Sequence, residues 1–130
     1  MTDPVATMDT VDRVRSAVEA ALDRKAIDLR VLHLQKVCDF TDYFVICTGA
    51  NGRQVGAIAD AVGDRLSSLR IKPLHLEGRR FGRWILMDYG DFLVHVFDPQ
   101  RRDHYRLEDM WSDAPDETEH FVVAELCPEG

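Results

Sequence analysis

Apolar residues recur along this chain with two different periods, and the switches between them outline the fold. Val11, Val14, Ala17, Val18, Ala21 and Leu22 fall at helical spacing. That stripe predicts a first helix, which Asp9 or Thr10 could cap. Ile27, Leu29 and Val31 then alternate, as in a strand with one buried face. Residues 36–41 form a polar connection. Residues 43–48 are apolar almost throughout, which suits a strand covered on both faces. After Thr48-Gly49-Ala50-Asn51-Gly52 the helical period returns in Val55, Ile58, Ala59, Val62, Leu66 and Leu69.

Residues 72–77 suggest a third strand, short and at a start or an edge because Pro73 lacks an N–H. A basic loop, 78–82, leads into the stretch 83–98, which reads as a hairpin turned at Asp88-Tyr89-Gly90-Asp91, with Gly90 free to take positive φ. On its first arm Trp84, Leu86 and Asp88 share one face, and Ile85 and Met87 share the other. Pro99 is expected to break the second arm, and 102–111 suggests a short helix. The expected architecture is α/β: a mixed five-stranded sheet with flanking helices. The expected domain plan is a loose start over 1–8, a single α/β domain over 9–113 and an acidic C-terminal tail over 114–130. Within that tail Phe121-Val122-Val123 is an apolar triplet suited to docking on the body or on a neighbour.

Charge is unevenly spread over the 130 residues. The net charge is −7, yet residues 1–102 hold 15 Lys/Arg against 14 Asp/Glu, and residues 103–130 hold one Arg against nine Asp/Glu. A near-neutral body with an acidic end disfavours a protein that coats nucleic acid and suits a basic protein partner. The expectation is little direct nucleic acid contact. No apolar run approaches the ~18 residues of a membrane span, so no membrane partner is expected. The start, with Asp3, Asp9 and Asp12, lacks the apolar core of a secretory signal. The three cysteines, Cys38, Cys47 and Cys127, are odd in number and show no CxxC spacing, which points to reduced thiols and a cytoplasmic location.

Candidate chemistry is sparse. The Gly49–Gly52 junction could offer helix amides to a phosphate, as in a nucleotidyltransferase-like enzyme. It lacks GxxxxGK[ST] and GxGxxG, and the plainer reading makes Asn51 a cap. His33, His75, His95, His104 and His120 form no HxxxH or HExxH pair. His95 reads as a hydrogen-bonded strand residue, and Cys47 as a small buried hydrophobe. There is no GxSxG. The expectation is no catalytic residue, no metal and no cofactor. Arg79, Arg80 and Arg83 make one basic cluster and Arg101-Arg102 another, suited to RNA phosphate, to an acidic partner or simply to solvent. Of Tyr105, Leu107 and Trp111, two are expected in the core.

The ordered motifs Asp42-Tyr43-Phe44-Val45-Ile46, Thr48-Gly49, Glu77-Gly78, Trp84 through Asp91, Val94-His95-Val96-Phe97, and Arg102 through Tyr105-Arg106-Leu107-Glu108 to Trp111 resemble those of the ribosomal silencing factor family, also called RsfS or Iojap-related. The resemblance runs from about Val11 to Trp111. It implies a nucleotidyltransferase-like fold without an enzymatic reaction, and a homodimer off the ribosome. It also implies binding to the large ribosomal subunit through ribosomal protein fourteen. Occupying that site would block joining to the small subunit and repress translation under nutrient limitation. The chain departs from the family pattern at Asn51-Gly52, where serines are usual before an arginine, and in the residues after about Ala114. The hairpin's aromatic and acidic residues, Trp84, Leu86, Asp88 and Tyr89, are the expected partner-binding set, since interface anchors are commonly Trp, Tyr and Arg. In that scheme Trp84 and Leu86 give apolar area, Asp88 pairs with a basic residue and Tyr89 covers the rim.

Overall fold

The computed structural model describes residues 8–35 and 37–122. Helix α1, Thr10–Asp23, starts where Asp9 accepts the Asp12 N–H, and buries Val14, Ala17, Val18, Ala20 and Ala21. Strand β1, Ile27–His33, pairs antiparallel with β2, Tyr43–Thr48, across a register shift between Ile27 and Arg30. Helix α2, Gly52–Ser68, is capped by Asn51, whose side chain accepts the Gln54 N–H. Strand β3, His75–Glu77, is three residues long, starts beyond Pro73 and lies at the sheet edge. Strands β4, Trp84–Asp88, and β5, Phe92–Phe97, form the hairpin. The sheet order is β1-β2-β5-β4-β3, with β2 and β5 parallel and the other pairs antiparallel. The five-stranded mixed sheet and its flanking helices therefore match the expectation.

The two faces of the sheet are covered unequally. On one face α1 and α2 pack over Val31, Val45, Cys47, Ile85, Met87, Val94 and Val96, forming the larger core. The complete burial of β2 and β5 follows from their central places, since both faces of each are covered. The second face carries Leu32, Phe44, Ile46, Leu93 and Phe97, roofed by Leu107 and Ala114 with Trp111 at the margin.

Two sequence expectations change here. Pro99 does not merely break the hairpin: it opens helix α3, Pro99–Tyr105, beneath an Asp98 cap that accepts the Arg101 N–H. Proline suits a first helical turn, where its missing N–H would have no partner anyway. The single helix expected over 102–111 is divided at Arg106, which takes a left-handed conformation at φ 47, and α4 then runs Leu107–Met110.

The stretch expected to be a tail from 114 onward joins the body as far as it is described. Leu32 bridges to Asp116, the Glu117 N–H donates to Val31 O, and α5, Thr118–Phe121, buries Phe121 against Tyr43. Burying a phenylalanine outweighs the modest cost of ordering a few polar residues on a sheet edge. Of the apolar triplet, Val123 lies outside the described residues, as does Cys127.

Candidate docking face

The short helices α3 and α4 cover the β1, β2 and β5 side of the second face and reach β4 at Trp84 through Tyr105, leaving the rest of β4 and β3 partly or fully exposed. Alternation sends Trp84, Leu86 and Asp88 to this open side, and all three are partly exposed. The antiparallel register sets Glu77 opposite Leu86 and His75 opposite Asp88, so β3 adds two exposed polar residues to the same surface. The surface is thus apolar in the middle and bordered by the Glu77 and Asp88 carboxylates. No sequence period marks His75 or Glu77 as part of it; the strand pairing does.

Trp84 has two roles. Its ring stacks on Phe97 at 5.1 Å and lies 4.5 Å from that of Tyr105. Its indole N–H donates to His95 Nδ1 at 3.2 Å. That bond makes Nδ1 the acceptor and leaves the imidazole proton on Nε2. His95 is 4% exposed, and burial pushes its pKa down to about 3. It is a neutral strand residue braced by the tryptophan, with Phe44 edge-on at 4.6 Å. Trp84 therefore both shows surface and holds its own core, whereas Leu86 makes no such polar contact.

Asp88 closes the turn. Its Oδ1 accepts the Gly90 N–H at 2.8 Å, and Gly90 takes φ 88. Asp91 is tied instead to the start of α1, where it accepts from Thr10 Oγ1 at 3.1 Å and pairs with Arg13 at 3.4 Å. Tyr89 does not belong to this surface. It points to the helix-covered side, 6% exposed, with its ring stacked 5.0 Å from Phe92 and its hydroxyl pushed up to about 12 by burial. It cannot cover the rim of an interface on the opposite face. The alternation that groups Ile85 with Met87 continues one residue further to Tyr89.

The other sequence candidates have structural occupations. At the Gly49–Gly52 junction the Gly49 N–H donates to Phe97 O, the Ala50 N–H to Gln54 Oε1 and the Gln54 N–H to Asn51 Oδ1. Three of the junction's amides are thus engaged within the chain. Gly49 also admits no side chain, because a Cβ would lie 2.7 Å from the Val55 nitrogen. Arg102, grouped by sequence with Arg101 as surface charge, is buried. It donates to Thr48 Oγ1 at 2.8 Å, to Asp28 O at 2.9 Å and to Glu108 at 2.8 Å, pinning α3 and α4 to two strands. Cys47 is fully buried, and that burial pushes its thiol up to about 12. Leu107 is in the core and Trp111 at its edge, while Tyr105 is 43% exposed. No group of His, Cys, Asp and Glu among the described residues is placed to hold a metal ion. No helix among them is long and apolar enough to cross a membrane.

Comparison with known proteins agrees with this architecture. A Bacillus subtilis protein named ribosomal silencing factor RsfS is 38% identical over 102 residues, covering 78% of this chain and 86% of that one. The maize protein Iojap, chloroplastic, is 32% identical over 99 residues, 76% of this chain but 43% of the longer relative. A crystal structure of a Chromobacterium violaceum protein superposes with a TM-score of 0.79 at 33% identity, covering 81% of this chain and 88% of that one. The sequence profile described as "Ribosomal silencing factor during starvation" matches residues 7–126, nearly the whole chain. With its mixed sheet and its half-covered second face, the chain belongs to the ribosomal silencing factor (RsfS) family.

Proposed function

We propose that this protein represses translation by binding the large ribosomal subunit through ribosomal protein fourteen, so that the small subunit cannot join. The action is steric and needs no chemistry. The observation that carries the reading is the open strand surface of β3 and β4. Trp84 and Leu86 offer apolar area there, and Asp88 and Glu77 offer carboxylates at its border. A basic ribosomal protein complements that pattern: apolar contact supplies affinity while carboxylates meeting Lys or Arg set register. A standard interface takes about 800 Å² per partner, and β3 with β4 and the hairpin tip presents a continuous face for it.

The substitutions that test this surface must spare the fold. Trp84→Ala would strip His95 of its donor, and Asp88→Lys would break the turn. Leu86→Glu places a charge in the middle of the surface, and Asp88→Asn removes the charge while keeping an oxygen for the Gly90 N–H. Each variant is pelleted with isolated large subunits, and subunit joining is followed on a sucrose gradient. Leu86→Glu should lose pelleting and restore joining. Asp88→Asn should weaken pelleting about tenfold, the scale of one charge-assisted hydrogen bond. Wild-type pelleting by both variants would show that β4 is not the docking strand.

A further inference from the structure

One arginine from each basic cluster of the sequence, Arg83 and Arg101, lines a single recess with three aromatic rings. A recess of about 360 Å³ is lined by Gly78, Phe81, Arg83, Trp84, Arg101 and Tyr105. It lies where the 78–83 loop faces α3, beside the docking strand. Its volume is at the lower end of the roughly 300–1,000 Å³ of small-ligand sites. The lining holds two arginines and no acid, in a protein whose net charge is −7.

The loop is built to present this recess. Gly78 and Gly82 take φ 83 and 66, and the N–H groups of Phe81 and Gly82 both donate to Gly78 O. Arg79 turns away and clamps the loop to α2 through Asp60, with contacts of 3.0 and 2.8 Å. Phe81 is left 75% exposed on a braced turn, with the Arg80 guanidinium 5.9 Å from its ring centre. A large aromatic held in solvent on an anchored loop is poor for solubility and good for stacking. Across the recess Tyr105 is 43% exposed and packs its ring against Trp84. Arg83 is exposed and makes no ion pair among the described residues. Arg101 lies 3.9 Å from Asp98, whose carboxylate is already committed to capping α3.

We propose that this recess is a contact for single-stranded RNA. One base stacks on the exposed rings of Phe81 and Tyr105, over the Trp84 edge of the recess, while Arg83 and Arg101 meet the flanking phosphates. Aromatic faces with interleaved arginines are what single-stranded nucleic acid needs, because every base has a π-face and every linkage a charge. An acidic peptide would satisfy the arginines and leave the exposed rings of Phe81 and Tyr105 without a use. The inference goes beyond the proposed function and rests on it only for the source of the strand, ribosomal RNA bordering the docked protein. It also narrows what overall charge implies: a net acidic protein presents a local basic, aromatic corner.

The test uses the full chain and a fluorescein-labelled single-stranded RNA of about ten nucleotides, within the span of one single-strand site. Anisotropy is read from about 50 to 200 mM salt. The wild type should bind saturably. Phe81→Ala should weaken binding roughly fivefold or more, the lower end of what one stacked base contributes. Arg83→Gln should flatten the log–log salt dependence by about 0.7, one phosphate of a single strand. Both positions are exposed, so both variants should keep the parent's thermal melt. Absence of wild-type binding overturns the proposal, as does wild-type affinity in Phe81→Ala. So does a polyglutamate peptide that competes as well as unlabelled RNA, which would reassign the patch to acidic proteins. No ribosome is present in the assay, so a failed docking assignment leaves these outcomes untouched.

Discussion

The Trp84–His95 pair makes stability depend on pH below the ordinary histidine range. In the folded protein the indole N–H donates to His95 Nδ1 at 3.2 Å, and burial holds the imidazole pKa down to about 3. In the unfolded chain the same group titrates near 6.5. Protonation of folded His95 would set a ring N–H against the indole N–H, donor against donor. The folded-state pKa is depressed, so this contribution to stability is complete above about pH 6.5 and is lost as pH falls toward 3. Each pH unit inside the window costs about 1.4 kcal/mol. Between pH 7 and pH 5 the unfolded state gains nearly one and a half protonation decades over the folded one. The loss is about 2 kcal/mol, a large share of a marginal folding free energy. The depressed pKa of Asp116 acts in the same direction but at lower pH, below the ordinary carboxylate range.

The assay is urea unfolding at pH 7, 6 and 5 for the wild type, His95→Phe and His95→Gln. Phe keeps the ring shape, and Gln can still offer an oxygen to the indole. The wild type should lose about 2 kcal/mol more than either variant between the two ends of the range, with unchanged m-values. Identical pH slopes in all three proteins would show that His95 is not held neutral, and would remove the argument that Trp84 is committed to the core.

Three other outcomes follow from the packing. Gly78→Ala should destabilise by more than about 3 kcal/mol in a thermal or urea melt, since φ is 83 and the added Cβ would sit 1.9 Å from Trp84 O. Phe121→Ala should cost about 3–5 kcal/mol by the same measure, because the ring is 2% exposed in the main core; a near-neutral result would return α5 to the status of a dispensable tail. Arg102→Met should cost about 3–5 kcal/mol by leaving the partly buried Glu108 carboxylate without its partner, and Arg102→Met with Glu108→Gln should recover part of that loss.

Which side of the sheet the β4 residues face was legible in the sequence because strand alternation is local. The period of two over 84–88 assigns Trp84, Leu86 and Asp88 to one side without any tertiary information. The same rule places Tyr89 with Ile85 and Met87. Reading Tyr89 as a turn residue set the rule aside one position early. His75 and Glu77 were not legible as partners of that surface, because only the β3–β4 register brings them there.

Sequence alone determined the elements whose signal is periodic or covalent. These are the two amphipathic helices, the doubly buried β2 and β5, the glycine turns, and the ordered motifs that mark the family. Tertiary structure decided what each charged residue does. Arg102 and Arg83 are the same residue type in equally basic clusters, yet one is buried against Thr48 and Asp28, 54 and 74 positions away, and the other stands in solvent. An arginine's role depends on partners distant in sequence, and no local pattern encodes them. The division of the second face into a covered half and an open half has the same origin. It depends on where α3 and α4 come to rest, and the pairing of Arg102 with β1, β2 and α4 fixes that position.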